Sequence, residues 1–189
     1  MPKGISNKLK TSVQAQYRRV ILAFACAASI AGQQALHSHA SPDVRPYLTA
    51  ESAAAGLDAC QAVAAENSWN MAIAVFDRAG RIVAFKRMDD VFQKQIEVAM
   101  LKAETAATTP LSSKRLGDLV FAEDSALAGI EHAPGLMLIE GGEPILFFDQ
   151  AIGGVGVSGS SPENDGTCAR AAASAIIAVL ERPHERGQK

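Results

Sequence analysis

Apolar residues recur at helical spacing in three stretches of the chain. The first predicts a helix from Ala50 to about Asn67, and the second a helix from Gln93 to Thr108 that Pro110 ends. The third predicts a closing helix from Asp165 to Leu180, with Asp165 as its N-cap. These helices are long enough to cover a sheet.

Short apolar runs between the helices predict strands. Turn residues at 77–80 join the first two runs, which is typical of a hairpin. Because the connections between strands are short, the sheet is expected to be antiparallel with helices packed on it. The pattern therefore predicts an α+β fold with a single domain over residues 41–189, whose five strands are 71–76, 82–85, 137–139, 144–148 and 151–157.

The charge is distributed unevenly. Residues 1–40 carry five basic side chains and no acidic one, which leaves 13 basic and 20 acidic side chains, a net charge of −7, for residues 41–189. A body this acidic repels polyanions, so nucleic acid and anionic membrane surfaces are not expected as partners.

The N-terminus has the order of an export signal. A basic region over 1–19 precedes an apolar run over 20–31, and Ser38-His39-Ala40 supplies a small-x-small cleavage site. The apolar run is shorter than the roughly 20 residues that span a bilayer. We therefore expect a signal peptide over 1–40, a periplasmic or secreted mature chain and no membrane span after cleavage. Arg18-Arg19 leaves the twin-arginine route open beside the general one.

Two cysteines, Cys60 and Cys168, remain after such a cleavage. An oxidising compartment would allow them to pair. Both lie in alanine-rich helical segments, which favours the interpretation of two separate small buried residues. The sequence cannot show whether their Cα atoms approach closely enough for a disulfide.

The segment 140–170 has the clearest sequence features of a ligand-binding site. Glycines interrupt its strands, and a glycine in a strand is typical of a close approach by a ligand or by another backbone. The loop 158–164 leads to a helix start, where free N–H groups favour an anion. A plain hairpin with packing glycines explains the same pattern.

Two familiar motifs fail in this segment. Residues 154–159 match G-x-G-x-x-G, but the chain ends after one more helix and lacks the strand that a dinucleotide-binding unit needs. Residues 156–160 nearly match G-x-S-x-G but lack its last glycine. The sequence also has no C-x-x-C or H-E-x-x-H pattern that indicates zinc.

Three blocks together resemble the GlcG/HbpS haem-binding family, which includes the C-terminal domain of some corrinoid adenosyltransferases. The resemblance runs from about Thr49 to Leu180. The blocks are 72–77 with Gly80 and 87–89; Ala99 with 102–103 and 105–107; and 141–145 with 152–159, Asp165 and 168–169.

The resemblance implies a profilin-like fold, a five-stranded antiparallel sheet between helices, and assembly as a homo-oligomer. It implies haem as the bound small molecule, with the ligand-binding residues Arg87, Asp89, Lys102, Gly141, Gly142, Pro144, Gly156, Ser158, Gly159 and Asp165. Two departures from the family pattern are Asp149-Gln150 in the last hairpin turn and Glu143 between Gly142 and Pro144.

Haem needs an apolar slot, an axial ligand and cations for its propionates. In the leading hypothesis, Arg87 and Lys102 supply the cations and His132 the iron ligand, with Met88 and Met100 as substitutes. The alternative is an enzyme or accessory protein acting on a small hydroxy acid such as glycolate, with Asp89 or Asp165 as acid or base. A third hypothesis is a structural oligomer without a ligand.

Overall fold

The computed structural model describes residues 46–182, and the expected signal peptide and cleavage site lie outside them. The chain forms four helices and four strands in the order α1 (Ala50–Glu66), β1 (Ala72–Asp77), β2 (Ile82–Arg87), α2 (Gln93–Thr108), α3 (Ser113–Val120), β3 (Gly142–Phe147), β4 (Gln150–Ser158) and α4 (Pro162–Leu180). A single 3₁₀ turn, Ile130–His132, lies between α3 and β3.

The strands form one antiparallel sheet in the order β2-β1-β4-β3. Helix α2 packs on one face of the sheet, against β1, β3 and β4, while α1 and α4 pack together on the other face. The main core lies under α1 and α4 and includes Ile73, Val75, Val155 and Val157. The α+β class and the antiparallel sheet are thus confirmed.

The predicted strand over 137–139 is wrong, and the sheet has four strands in the described part of the chain. The backbone of this segment is bonded to side chains instead of to a neighbouring strand. The Met137 amide donates to Thr105 Oγ1 at 2.8 Å, and the Ile139 carbonyl accepts from Ser113 Oγ at 2.6 Å. With these groups satisfied, the segment crosses the edge of α2 as an irregular strap.

The closing helix also begins earlier than predicted. Ser161, not Asp165, is the N-cap of α4: its hydroxyl accepts from the Asn164 amide, and Pro162 occupies the first helical position. Proline is favoured there because its missing N–H is not needed. Asp165 consequently lies within the first turn, with its side chain directed into the protein.

Cys60 and Cys168 form a disulfide between α1 and α4, so the interpretation as two separate buried residues is wrong. Their Cα atoms are 4.8 Å apart because the small side chains along both helices let the two backbones approach closely. The bond is fully buried and ties the two outer helices together.

Candidate functional site

The sheet brings several of the predicted site residues to one of its ends. In the register of the strands, Ala72 at the start of β1 lies opposite Arg87 at the end of β2 and Ser158 at the end of β4. Gly142 begins β3 beside Gly156 at the same end. The residues predicted from distant parts of the sequence therefore share one region of the fold.

Beneath this end lies a buried ion pair between α2 and α4. Lys102 Nζ is 2.8 Å from Asp165 Oδ2 and donates to the Val157 carbonyl at 3.0 Å. The other Asp165 oxygen accepts from the Ser160 amide at 3.0 Å. The two side chains are only 2% and 3% exposed, so Lys102 is a structural cation rather than one that faces solvent.

Burial raises the pKa of Asp165 above its ordinary value, because removal from water disfavours the charged carboxylate. The Lys102 ammonium and the amides of Ser160 and Gly159 act in the opposite direction. The bonds of Asp165 to Lys102 and to the Ser160 amide thus join the start of α4 to α2.

Gly141 and Gly142 make room for this network. Gly141 has φ +121°, a conformation that side chains rarely adopt, and a Cβ there would lie 2.7 Å from Lys102 Nζ. A Cβ on Gly142 would lie 2.5 Å from the Lys102 carbonyl oxygen. The Gly142 amide donates to Ser113 Oγ at 2.8 Å, which fixes the strap to α3.

Gly156 and Gly159 are packed against protein backbone rather than open space. A Cβ on Gly156 would lie 2.0 Å from the Ala99 carbonyl oxygen, and one on Gly159 would lie 2.0 Å from the Asn70 carbonyl oxygen. Pro144 is half-buried in the edge strand β3, opposite Gly154. In this structure, therefore, the interpretation as packing glycines accounts for positions 156 and 159.

Arg87 and Asp89 line an open cavity of about 370 Å³ at the end of β2, with Gln61, Asn70, Lys86 and Met88. Lys86 is held on α1 by Asp58 Oδ1 at 2.6 Å and Gln61 Oε1 at 2.7 Å. Arg87 is exposed, and no carboxylate within residues 46–182 lies within 4.0 Å of its guanidinium. It is therefore a cation available to a ligand.

His132 does not join this region. Its side chain is 85% exposed on the 3₁₀ turn, and its nearest acidic partner is Glu131 at 3.8 Å. The loop that follows touches the second half of α2, where Thr105 Oγ1 donates to the Gly135 carbonyl at 3.4 Å. Arg87 instead precedes the first turn of α2. Met88 lines the Arg87 cavity, whereas Met100 packs against the α2 face of β1.

Glu143 lies half-buried on β3. Burial raises the pKa of its carboxyl; Arg170 opposes the rise, and Glu140 adds to it. Arg170 is itself paired with Glu140 at 3.0 Å. Glu143, one of the two departures from the family pattern, thus places at the edge of the sheet a carboxyl group whose charged form is disfavoured by burial. It does not line the Arg87 cavity.

Sequence reasoning missed Gln61 and Asn70 as cavity residues. Gln61 is the exposed position one turn after Asp58 on α1, and Asn70 lies in the loop before β1. Once α1 is packed over β2, both polar side chains are brought to Arg87. The helical spacing of Asp58 and Gln61 was the available signal for this contact.

A second cavity, of about 400 Å³, lies near the opposite end of the sheet beside the β1–β2 turn. Arg78 and Tyr47 line it, and none of the residues predicted for the site does. Within residues 46–182, no cluster of three His, Cys, Asp or Glu side chains is placed to hold a metal ion. In the same range, no helix has the length and apolar character needed to cross a bilayer.

The chain is similar to several known proteins. It is 35% identical to Protein GlcG of Escherichia coli (strain K12) over 111 residues, covering 59% of this chain and 81% of GlcG. Among solved structures, a double mutant of Streptomyces reticuli HbpS superposes with a TM-score of 0.65 at 26% identity, covering 74% of this chain and 90% of HbpS. The PduOC:heme complex superposes with a TM-score of 0.64 at 27% identity, covering 69% and 95%.

A family model also matches most of the described domain. The match covers residues 48–174, from the start of α1 into α4, and so includes the sheet, the Lys102–Asp165 pair and the Arg87 cavity. The resemblance inferred from the sequence blocks is confirmed. The chain therefore belongs to the HbpS-like family, whose model is described as haem degrading protein HbpS-like.

Proposed function

We propose that this protein is an exported haem-binding protein. The observation that carries the proposal is the haem complex of a relative with the same fold, 27% identical to this chain. The family description, which names haem, supports the same ligand.

The residues of this chain fit a propionate-bearing ligand at one position in particular. Arg87 is exposed, is not paired with an acid in the described domain, and offers the planar fork that matches a carboxylate. The Lys102 ammonium is already bonded to Asp165 and to the Val157 carbonyl, so it is not free to bind a ligand. Arg87 is the proposed propionate contact.

As a ligand of the haem iron, His132 fits the structure less well than Met88 does. His132 is on a surface turn away from Arg87, whereas Met88 lies beside Arg87 in the cavity wall. A thioether is an established haem ligand in proteins. Haem, when bound, would supply redox and ligand-exchange chemistry. The protein would orient the haem propionates and shield one face of the porphyrin.

Titration of the full-length chain with haem tests this function. We expect a saturable Soret band with the wild type, and His132→Ala is expected to leave both the band and the affinity unchanged. Met88→Leu, which keeps the packing volume, is the matched variant for the thioether. If the wild type produces no Soret shift at micromolar concentrations, the haem proposal is wrong.

A small hydroxy acid is the second candidate ligand. The cavity of about 370 Å³ lies at the lower end of the range for small-molecule sites and is lined largely by polar side chains. Arg87 would bind the carboxylate and Asp89 would face the hydroxyl, whereas Asp165 is buried and engaged. Calorimetric titration with glycolate and lactate tests this alternative, and saturable binding that Arg87→Ala abolishes would support it.

Export remains a proposal that rests on residues 1–40 and on the cysteines. A fully buried disulfide between α1 and α4 supports folding in an oxidising compartment. Mass spectrometry of the protein from its native host is expected to find Ser41 at the N-terminus. Recovery of the full-length chain from the cytosol would contradict export.

Assembly as a homo-oligomer is proposed from the family resemblance. The edge strand β3 and its turn carry exposed apolar side chains, with Leu146 42% and Phe148 80% exposed, and these support a contact between copies. Sedimentation of the wild type and of Phe148→Ser tests it. A wild type that sediments as a monomer at all concentrations would contradict assembly.

A further inference from the structure

The edge strand β2 leaves part of one sheet face uncovered. Helix α2 packs on β1, β3 and β4 rather than on β2, which lies at the end of the strand order. Among the elements of residues 46–182, therefore, no helix covers the side of β2 that faces the same way as α2. A row of side chains is exposed there beside the helix.

The strand register identifies this row. Ile82 lies opposite Phe76, Phe85 opposite Ala74, and Arg87 opposite Ala72. Those β1 residues belong to the small core clusters beneath α2, so their partners on β2 share the α2 face. We call Ile82, Phe85 and Arg87 the β2 shelf.

A bulge in β2 produces the shelf. The pairing shifts between Val75 and Phe76, so Val83 has no direct partner, and both Val83 and Ala84 pack into the core under α1 and α4. Ile82 and Phe85 are left on the opposite face, 55% and 37% exposed. Two large apolar side chains thus lie in solvent on one strand.

Helix α2 forms a wall along the shelf. Ile96 packs against the cluster that contains Ala72, and Met100 against the cluster that contains Ala74 and Phe76. Both side chains are half-buried. The β2 shelf and the α2 wall together form an apolar step. The thioether of Met100 lies on the α2 side of this step.

Charge gives this step a direction. Arg87 lies at one end. Near the other end, the Glu104 carboxylate would lie 3.8 Å from a Cβ on Gly80, in the β1–β2 turn. A ligand with an apolar body and carboxylates at one edge would be attracted at the Arg87 end, whereas the charges at the Ile82 end are mixed, because exposed Arg81 lies beside Ile82 there as well as Glu104. This complementarity favours an amphipathic anion over a neutral apolar partner.

The size of the step also favours a small ligand over a second copy of the chain. From Ile82 to Arg87 the strand is about 16 Å long, at roughly 3.3 Å per residue. The step is one strand wide, whereas a stable protein–protein interface buries about 800 Å² on each partner. A flat ligand can cover Ile82 and Phe85 completely.

We infer that the β2 shelf is the haem-binding surface: the porphyrin lies on Ile82 and Phe85 against the Ile96–Met100 wall, and Arg87 binds a propionate. This inference rests on the proposed haem-binding function and adds the location of the site. It assigns specificity to Ile82 and Phe85, which the sequence pattern marked only as strand residues.

Titration of the full-length chain with haem and with metal-free protoporphyrin IX tests the location. Ile82→Gln and Phe85→Ser are expected to weaken both ligands about tenfold or more, because each removes an apolar contact of the buried porphyrin. Phe121→Ser, at the exposed end of α3, is the matched control and should stay within about twofold of wild type. Thermal unfolding of each variant shows that the fold is retained.

The outcomes separate the two claims. If wild type binds haem and both shelf variants bind it as wild type does, the shelf is not the site, although the haem function stands. If wild type binds neither ligand, the function and the location both fail. If the shelf variants change the oligomer size but not the haem affinity, the shelf is a surface between copies and the inference is overturned.

Discussion

At the scale of single residues, the main result is that two charged side chains with similar sequence signals have different roles. Arg87 and Lys102 both follow the family pattern, yet the Arg87 side chain is exposed whereas the Lys102 side chain is buried, with only 2% of it exposed. The sequence could not separate them, because the partner of Lys102 is Asp165, 63 residues away. Their substitution is therefore expected to affect different properties.

Asp165→Asn is expected to destabilise the protein by about 3–5 kcal/mol, because it leaves the Lys102 ammonium buried without a counter-charge. Urea unfolding followed by circular dichroism measures the loss. Asp118→Asn is the matched control: its partner Lys114 is also a lysine, but that pair is exposed on α3. A loss for Asp165→Asn no greater than for the control would show that the buried pair is not needed for stability.

Glu143→Gln is expected to stabilise the protein at neutral pH. Because burial raises the folded-state pKa of Glu143 above 4.5, its protonated form is favoured in the fold. The stability contributed by that proton is fully present below the unfolded pKa and is lost as pH rises through the folded pKa. Thermal unfolding should show a gain for Glu143→Gln at pH 7 that disappears near pH 4. An equal gain at both pH values would contradict this origin.

At the scale of elements, the sequence predicted most helices and strands to within two residues, because their periodicity is local. The sequence-based prediction failed where contacts between residues far apart in the chain determine the local structure. The 137–139 segment has strand-like composition but bonds to the side chains of Thr105 and Ser113. Asp165 was a credible cap, but Ser161 caps α4 and frees Asp165 for Lys102.

The glycines of β4 show the same limit, since their spacing indicated a close approach without showing what approaches. Gly156→Ala is expected to destabilise the protein by about 3 kcal/mol or more, because its Cβ would meet the α2 backbone, which cannot rotate away. Gly129→Ala is the control: its φ is +98° but nothing lies within 4 Å, so it adds backbone strain of about 1 kcal/mol without a clash. Equal losses in denaturant unfolding would contradict close packing at Gly156.

The disulfide joins α1 and α4 across a sequence separation of 108 residues. The double variant Cys60→Ser, Cys168→Ser is expected to lose about 4–5 kcal/mol of unfolding free energy, the scale for a closed loop of that length. Guanidinium unfolding of the oxidised wild type and the variant measures it. Because the bond is fully buried, reductant should not cleave it in the native protein. Rapid reduction without unfolding would contradict that burial.

At the scale of the whole molecule, residues 41–189 carry a net charge of −7, so the proposed anionic ligand would have to be bound through local cations. The end of the sheet collects Arg87 beside the polar cavity and the β2 shelf, so one cation serves both candidate ligands. The family resemblance named several residues of this region, and their role in binding stays a prediction. The shelf could not be predicted, because it depends on a bulge and on the placement of α2.

The central claim is that Arg87 binds the carboxylates of haem, and the haem affinity of Arg87→Ala tests it most directly. We expect a loss of about 1.5–3 kcal/mol, roughly 10- to 150-fold in Kd, which is the scale of a charge-assisted hydrogen bond. Arg115→Ala on the exposed face of α3 is the control and should bind as the wild type does. The difference should shrink at high salt because screening weakens the ion pair. Equal affinities for wild type, Arg87→Ala and Arg115→Ala at both low and high salt would contradict the account.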